Sequence, residues 1–261
     1  KTNVPIHLAD WQSYNAIYGT TNNPWDLSKV PGGSSGGSAA ALAAGLTGID
    51  AGSDIGSSIR NPAHYCGVYG HKPTFGIVPP RGQALPGRLA QGDISVIGPL
   101  GRSAEDLEIG LAVMAGPDEI DAAGYRLTLP APRQKTLRDF KVAVMLTDPN
   151  SEVDAEVQEK VQAVAEFLAR KRAKVNGKAR PDIDTNEAQR VYVHLLRAAT
   201  SGRQTQEEFD KNVQVVRGLS PNDASYYARM QRGNTGSHRD WLAANEARHK
   251  MRWKWAEFFK E

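Results

Sequence analysis

The segment PGGSSGGSAAALAAG, Pro31–Gly45, sets three serines in a glycine-rich bed and runs straight into an alanine-rich stretch. Gly/Ser-rich segments are often flexible linkers. A linker has no need of an abutting helix former such as Ala39-Ala40-Ala41-Leu42-Ala43-Ala44. The segment instead predicts a loop feeding a helix over 37–45, opened by Ser38. Backbone N–H groups gather at such a helix start, which favours negative charge. A P-loop would need Gly-Lys-Ser/Thr after the glycines, and none follows. The stretch matches G-x-S-x-G twice, centred on Ser34 and on Ser35. A nucleophile elbow also needs a strand before its serine. Here NNPWDLSKVP (Asn22–Pro31) holds Pro24 and Pro31 and reads as turn and loop. His64 and His71, the conceivable bases, read as surface or packed histidines.

The remaining composition narrows the function classes. Of 261 residues, 40% are apolar and 23% charged, an ordinary soluble globular mix. A net charge of +3, from 32 basic and 29 acidic residues, does not call for nucleic acid. The densest basic run, Arg170-Lys171-Arg172 with Lys174, falls at the end of a predicted helix, where cations complement the terminal carbonyls. The lone cysteine, Cys66, excludes an internal disulfide and a cysteine zinc cluster, and its setting HYCGVYG reads as packing. No apolar run has the length of a membrane span and no signal peptide opens the chain, so a cytoplasmic setting is the default. The chain starts at Lys1 and stops inside the helix-like Lys254–Glu261, which reads as a piece of a longer polypeptide.

Along the chain, TGIDAGSDIGSSIR (Thr47–Arg60) suits a short buried strand entering a tight loop. Ser103–Gly116 reads as a helix, with Ser103 as N-cap, Asp106 three residues on, Gly116-Pro117 as its stop, and Leu107, Leu111 and Met114 on one face. KVAVML (Lys141–Leu146) reads as a buried strand. Val153, Val157, Val161, Val164 and Leu168 recur at helical spacing over 153–174. From Asn186 the pattern is helical: Glu187–Ala199, Gln206–Val216, Asp223–Arg232 and Ser237–Phe259. Strands and helices interleave early and helices dominate late, which predicts an α/β layered fold with a largely helical second half.

The segment after the first helix, GSDIGSSIRNPAHYCGVYGHKPTFG (Gly52–Gly76), adds the rest. The Gly-Gly-Ser-Ser-Gly-Gly loop, the G-S-D-I-G-x-S-I-R loop and the C-G-x-x-G-x-K-P-T segment stand in order. With KTNVP (Lys1–Pro5), GTTNNPWD (Gly19–Asp26) and GPLGRSAEDL (Gly98–Leu107), they resemble the amidase signature family of serine hydrolases. The resemblance covers residues 1 to about 148; beyond that only the helix–strand rhythm agrees. It implies one amidase signature domain over 1–261, incomplete at both ends: a catalytic core with both serine loops in 1–148 and a mostly helical remainder in 149–261. The implied core is a mixed twisted β-sheet flanked by helices.

The resemblance also implies a Ser–cisSer–Lys triad, a Ser-Lys variant of serine hydrolysis. Ser58, just before Ile59-Arg60, is then the nucleophile. Ser34 is the bridging serine, following a cis peptide bond from Gly33. A serine hydroxyl needs an adjacent base, and a second hydroxyl that both donates and accepts can bridge to it. Ser35 is expected to donate hydrogen bonds that hold the site. The N–H groups of Ile55, Gly56, Ser57 and Ser58 would form the oxyanion hole, each worth about 3 kcal/mol in the transition state. Asp54 and Arg60 bracket the nucleophile with opposite charges and are expected to pair. Where the family usually has glycine before the nucleophile, this chain has Ser57, which is strained if that position has φ > 0. The family's catalytic lysine lies upstream of the match to Lys1–Pro5, and Lys1, Lys29 and Lys72 do not take its place. The expectation is a fragment with little turnover alone.

The implied activity is hydrolysis of a carboxamide through an acyl-enzyme on Ser58, with a small-molecule amide substrate and no metal or organic cofactor. No nucleic-acid or membrane partner is expected, and a homodimer is left open. The glutamyl-tRNA amidotransferase A-type subunit is the second reading, because GHKPTFGIVPPRG (Gly70–Gly82) looks more like the stand-alone amidases. A non-catalytic member or fragment serving as a binding module is the third. Trp11, Tyr14 and Trp25 fit either a pocket wall or packing. Trp253, Trp255, Phe258 and Phe259 read as a face for another part of the protein.

Overall fold

A computed structural model describes residues 3–8, 10–83, 87 and 89–260. Lys1 and Thr2 of KTNVP, and Glu261 at the tail, lie outside the described residues. The chain divides between Thr128 and Leu129 into two compact units.

The first unit is built on a three-stranded antiparallel sheet in the order β3-β5-β4. These strands are β3 (Ile49–Asp54), β4 (Tyr69–Gly70) and β5 (Val96–Gly101). A small hairpin, β1 (Tyr14–Asn15) with β2 (Gly19–Thr20), precedes it. Three α-helices among the described residues belong to the unit: α1 (Gly36–Ala43), α2 (Arg60–Cys66) and α3 (Ala104–Met114). The glycine–serine loop does feed a helix, although α1 starts at Gly36 and takes Ser38 inside its first turn. Its alanines supply helix propensity. Gly45, at φ +74°, ends it in a Schellman motif, with Leu46 N–H on Ala41 C=O and Gly45 N–H on Leu42 C=O. Ser103 and Asp106 cap α3 reciprocally, as their spacing predicts.

Thr47–Arg60 becomes β3 and a turn, and the strand is buried in its second half. Its register with β5 sets Asp54 opposite Val96 and Gly52 opposite Gly98. A Cβ on Gly52 would meet Leu100 Cδ1 at 2.7 Å and Ser35 Oγ at 2.8 Å, so only glycine lets β3 lie this close to the serine loop. β5 carries no simple strand pattern in the sequence, since Gly98-Pro99 interrupts its apolar run. Pro99 C=O accepts from His71 N–H on the β4 side. The N–H that proline lacks would point the same way, so the β3 ladder is intact. Ala39, Leu42, Ile59, Ala63, Cys66 and Leu100 form the core between α1, α2 and the sheet.

The second unit holds a parallel pair, β6 (Lys141–Ala143) with β7 (Lys174–Asn176), joined through α4 (Ala155–Arg170). Two sequence expectations are corrected here. The strand expected over Lys141–Leu146 is only three residues long and half-exposed, because a two-stranded sheet buries little of either strand. The helix expected over 153–174 stops at Arg170, because the chain turns through Arg172 at φ +70° into β7. Its apolar stripe is present, yet Val157, Val161, Val164 and Phe167 are exposed and only Ala165 is buried. Four helices follow: α5 (Thr185–Ser201), α6 (Gln206–Gly218), α7 (Tyr226–Thr235) and α8 (His238–Phe258). α7 starts three residues after the expected Asp223, capped by Ser225. α5 packs on α7 and α8 around Val191, Val193, Leu195, Ala228 and Ala244. No helix among the described residues is long and apolar enough to cross a membrane.

Candidate active site

Two loops meet where β3 ends and α1 begins. The first runs through Gly33, Ser34 and Ser35 into α1. The second runs from Asp54 through Ser58 into α2. Ser35 N–H donates to Ser58 C=O at 3.1 Å, which fastens one loop to the other. Gly33 N–H donates to Asn61 Oδ1 at 3.1 Å, a second tie in the same direction. Ser34 and Ser58, on the two loops so joined, are 1% and 5% exposed. Neither hydroxyl has a hydrogen-bond partner among the described residues. The Gly33–Ser34 peptide bond is cis.

The turn that carries Ser58 is organised by Asp54, whose side chain is wholly buried. Its carboxylate accepts from Ser57 N–H at 2.8 Å, Ile59 N–H at 3.1 Å and Arg60 N–H at 3.3 Å. Arg60 adds Nε at 3.1 Å and Nη2 at 3.0 Å, the pairing expected from the charges. Burial pushes the Asp54 pKa up, but Arg60 and the N–H donors outweigh it and hold the carboxyl below its ordinary value. Lys72 lies within the field of this pair. Burial pushes its ammonium pKa down, and the Asp54 charge opposes that shift.

Ser57 has φ +88°, a region that favours glycine. Of the four N–H groups expected to face the substrate oxygen, those of Ile55, Gly56, Ser57 and Ser58, the Ser57 N–H donates to Asp54 Oδ1. The N–H groups of Ile55, Gly56 and Ser58 have no hydrogen-bond partner among the described residues. Ser35 joins the loops through its backbone donor, and its hydroxyl accepts from Ser53 N–H at 3.4 Å.

Three supports had no sequence signal. Ser13, fully buried, accepts Gly36 N–H at 3.0 Å and donates to Gly32 C=O at 3.3 Å. Asn61 holds Gly33. Trp11 Nε1 donates to Gly56 C=O at 2.8 Å. None of these belongs to a motif that spacing reveals. Trp25 donates Nε1 to Cys66 C=O at 2.7 Å, so it braces the end of α2. Cys66 is buried, which pushes its thiol pKa up to about 11 and leaves it inert at neutral pH.

The Amidase family profile matches residues 1–261. The chain belongs to the amidase signature family. The match runs past residue 148, where the sequence resemblance thinned, and it takes in the helical second half. Among curated relatives, the A-type subunit of the glutamyl-tRNA(Gln) amidotransferase of Gloeobacter violaceus is 44% identical over 142 residues, covering 54% of this chain and 28% of that protein. Its counterpart in Nostoc sp. is 38% identical over 182 residues, covering 67% of this chain and 37% of that protein. A solved amidase structure is 26% identical with a TM-score of 0.69, covering 99% of this chain and 53% of that one. The chain thus spans about a third of the length of these curated relatives, and its fold is the amidase signature fold.

Proposed function

We propose that this amidase signature chain hydrolyses carboxamides through an acyl-enzyme on Ser58. The observation that supports the reading is the Ser35 N–H to Ser58 C=O bond, which joins the two loops that carry the buried serines Ser34 and Ser58. Ser58 Oγ attacks the amide carbonyl, and its proton passes through Ser34 toward the lysine of the family's triad. The negative charge that develops on the carbonyl oxygen is met by the N–H groups of Ile55, Gly56 and Ser58. The C–N bond breaks, the amine or ammonia leaves with the proton, and water then cleaves the Ser58 ester to a carboxylic acid. Asp54, Arg60, Ser35 and Gly33 hold the geometry, and residues 1–261 form part of one catalytic domain with both serine loops in 1–148.

A fluorophosphonate probe tests this. It is expected to label Ser58 in the wild-type protein and to leave Ser58→Ala unlabelled. Absence of labelling at Ser58 would favour a non-catalytic binding module. A second reading is favoured by the 44% identity to an amidotransferase A-type subunit. In that reading the amide is glutamine and the ammonia is used on misacylated tRNA. Glutaminase activity that appears only with the other amidotransferase subunits and tRNA would select it, and hydrolysis of simple amides by the protein alone would reject it.

A further inference from the structure

The peptide unit between Gly56 and Ser57 is held at both of its polar ends. Its C=O accepts from Trp11 Nε1 at 2.8 Å, and its N–H donates to Asp54 Oδ1 at 2.8 Å. The two groups of a trans peptide point in opposite directions. A flip would therefore turn the carbonyl onto the Asp54 carboxylate and the N–H onto the indole N–H, and both bonds would be lost.

We propose that Trp11 is a positioning residue for the turn that carries Ser58, forming with Asp54 a clamp that holds the Gly56–Ser57 peptide in one orientation. The clamp is needed because Ser57 sits at φ +88°, where a residue with a Cβ is disfavoured and tends to relax by rotating that peptide. Rotation would break the Ser57 N–H bond to Asp54 and loosen the turn that carries Ser58 from the carboxylate that organises it. Burial does not account for the contact, since Trp11 is 63% exposed. Its backbone is placed as firmly as its ring. A Cβ on Gly33 would lie 2.8 Å from Trp11 C, Asp10 O and Gln12 N, so the segment 10–12 rests on the Ser34 loop. Trp11 therefore stands on one serine loop and reaches to the other. The catalytic consequence rests on the acyl-enzyme reading given above; the clamp itself is geometric.

The test is a double-mutant cycle in the full-length protein with Trp11→Phe, which keeps a ring and loses the donor, and Ser57→Gly, which removes the need for a clamp. The rate of fluorophosphonate labelling at Ser58 and the thermal midpoint are both read. Trp11→Phe is expected to slow labelling roughly tenfold, since misplaced oxyanion donors act in this range and above. In the Ser57→Gly background the same substitution is expected to change the rate less than about threefold, because glycine holds φ +88° without help. An equal effect in both backgrounds, or none in the Ser57 protein, overturns the clamp. If wild-type protein does not label, the hydrolase reading fails and the clamp is judged on the thermal midpoints, where coupling supports it and additivity overturns it. If Trp11→Phe does not fold, rescue of folding by Ser57→Gly supports the clamp and failure of rescue overturns it.

Discussion

Arg60 grips both carboxylate oxygens of Asp54 across the turn that carries Ser58, with Nη2 on Oδ1 at 3.0 Å and Nε on Oδ2 at 3.1 Å. The carboxylate is fully buried, whereas the Arg60 side chain is 52% exposed. The pair is therefore anchored from the acidic side, and Asp54 also satisfies three backbone donors. Asp54→Ala is expected to cost about 3 kcal/mol, because it strands the N–H groups of Ser57, Ile59 and Arg60 together. Arg60→Ala is expected to cost less, since the carboxylate keeps those three donors. Urea unfolding of the two variants checks the order.

The same carboxyl makes stability depend on acid. Burial raises its pKa, but the Arg60 and N–H bonds outweigh burial, and the folded value lies below the ordinary one. A group depressed by folding contributes stability that is complete above its unfolded pKa, about 3.9 for an aspartate. That contribution is lost as pH falls through the lower folded value. Wild-type unfolding free energy is expected to drop below about pH 4 more steeply than that of Asp54→Asn, which has no carboxyl there to protonate. Parallel slopes across the range from about pH 5 to about pH 2 would count against this role for Asp54.

Ser57→Gly is expected to stabilise the fold. A serine at φ +88° is strained by about 1–3 kcal/mol. Glycine removes that strain but loses roughly 0.5–1 kcal/mol to greater freedom of the unfolded chain. The net gain is about 1 kcal/mol, a rise of roughly 2–4 °C in thermal midpoint for a chain of this size. A fall in midpoint would mean that the serine hydroxyl makes a contribution larger than the strain.

Motif order made the two serine loops, the helix after Ser34 and the Asp54–Arg60 pair legible, because each is set by residues close in sequence. The capping box of α3 was legible for the same reason. What the sequence hid is long-range. Ser13 and Trp11 reach their partners across 23 and 45 positions, and neither carries a local pattern. β5 was hidden by a proline whose missing donor faces the edge strand. The Ser57 N–H bond to Asp54 was hidden too, because a backbone N–H shows in sequence only that it exists. On α4 the spacing gave the shared face and not its exposure, since periodicity tells which residues share a face and nothing of what covers it.

The two serines separate in their expected roles. Ser58→Ala removes the attacking oxygen, so both labelling and turnover should fall to background. Ser34→Ala leaves that oxygen in place and removes the hydroxyl that would carry its proton. Turnover of the full-length protein is then expected to fall by about three to four orders of magnitude, the usual range for losing one member of a triad, while some slow labelling of Ser58 persists. Neither substitution should unfold the protein, because neither hydroxyl holds a partner among the described residues. The two can also be combined. If Ser34 works only through Ser58, Ser34→Ala adds nothing to Ser58→Ala, and residual rates of the single and double variants coincide. A double variant clearly slower than Ser58→Ala would show that Ser34 acts on the substrate by itself and not as a relay.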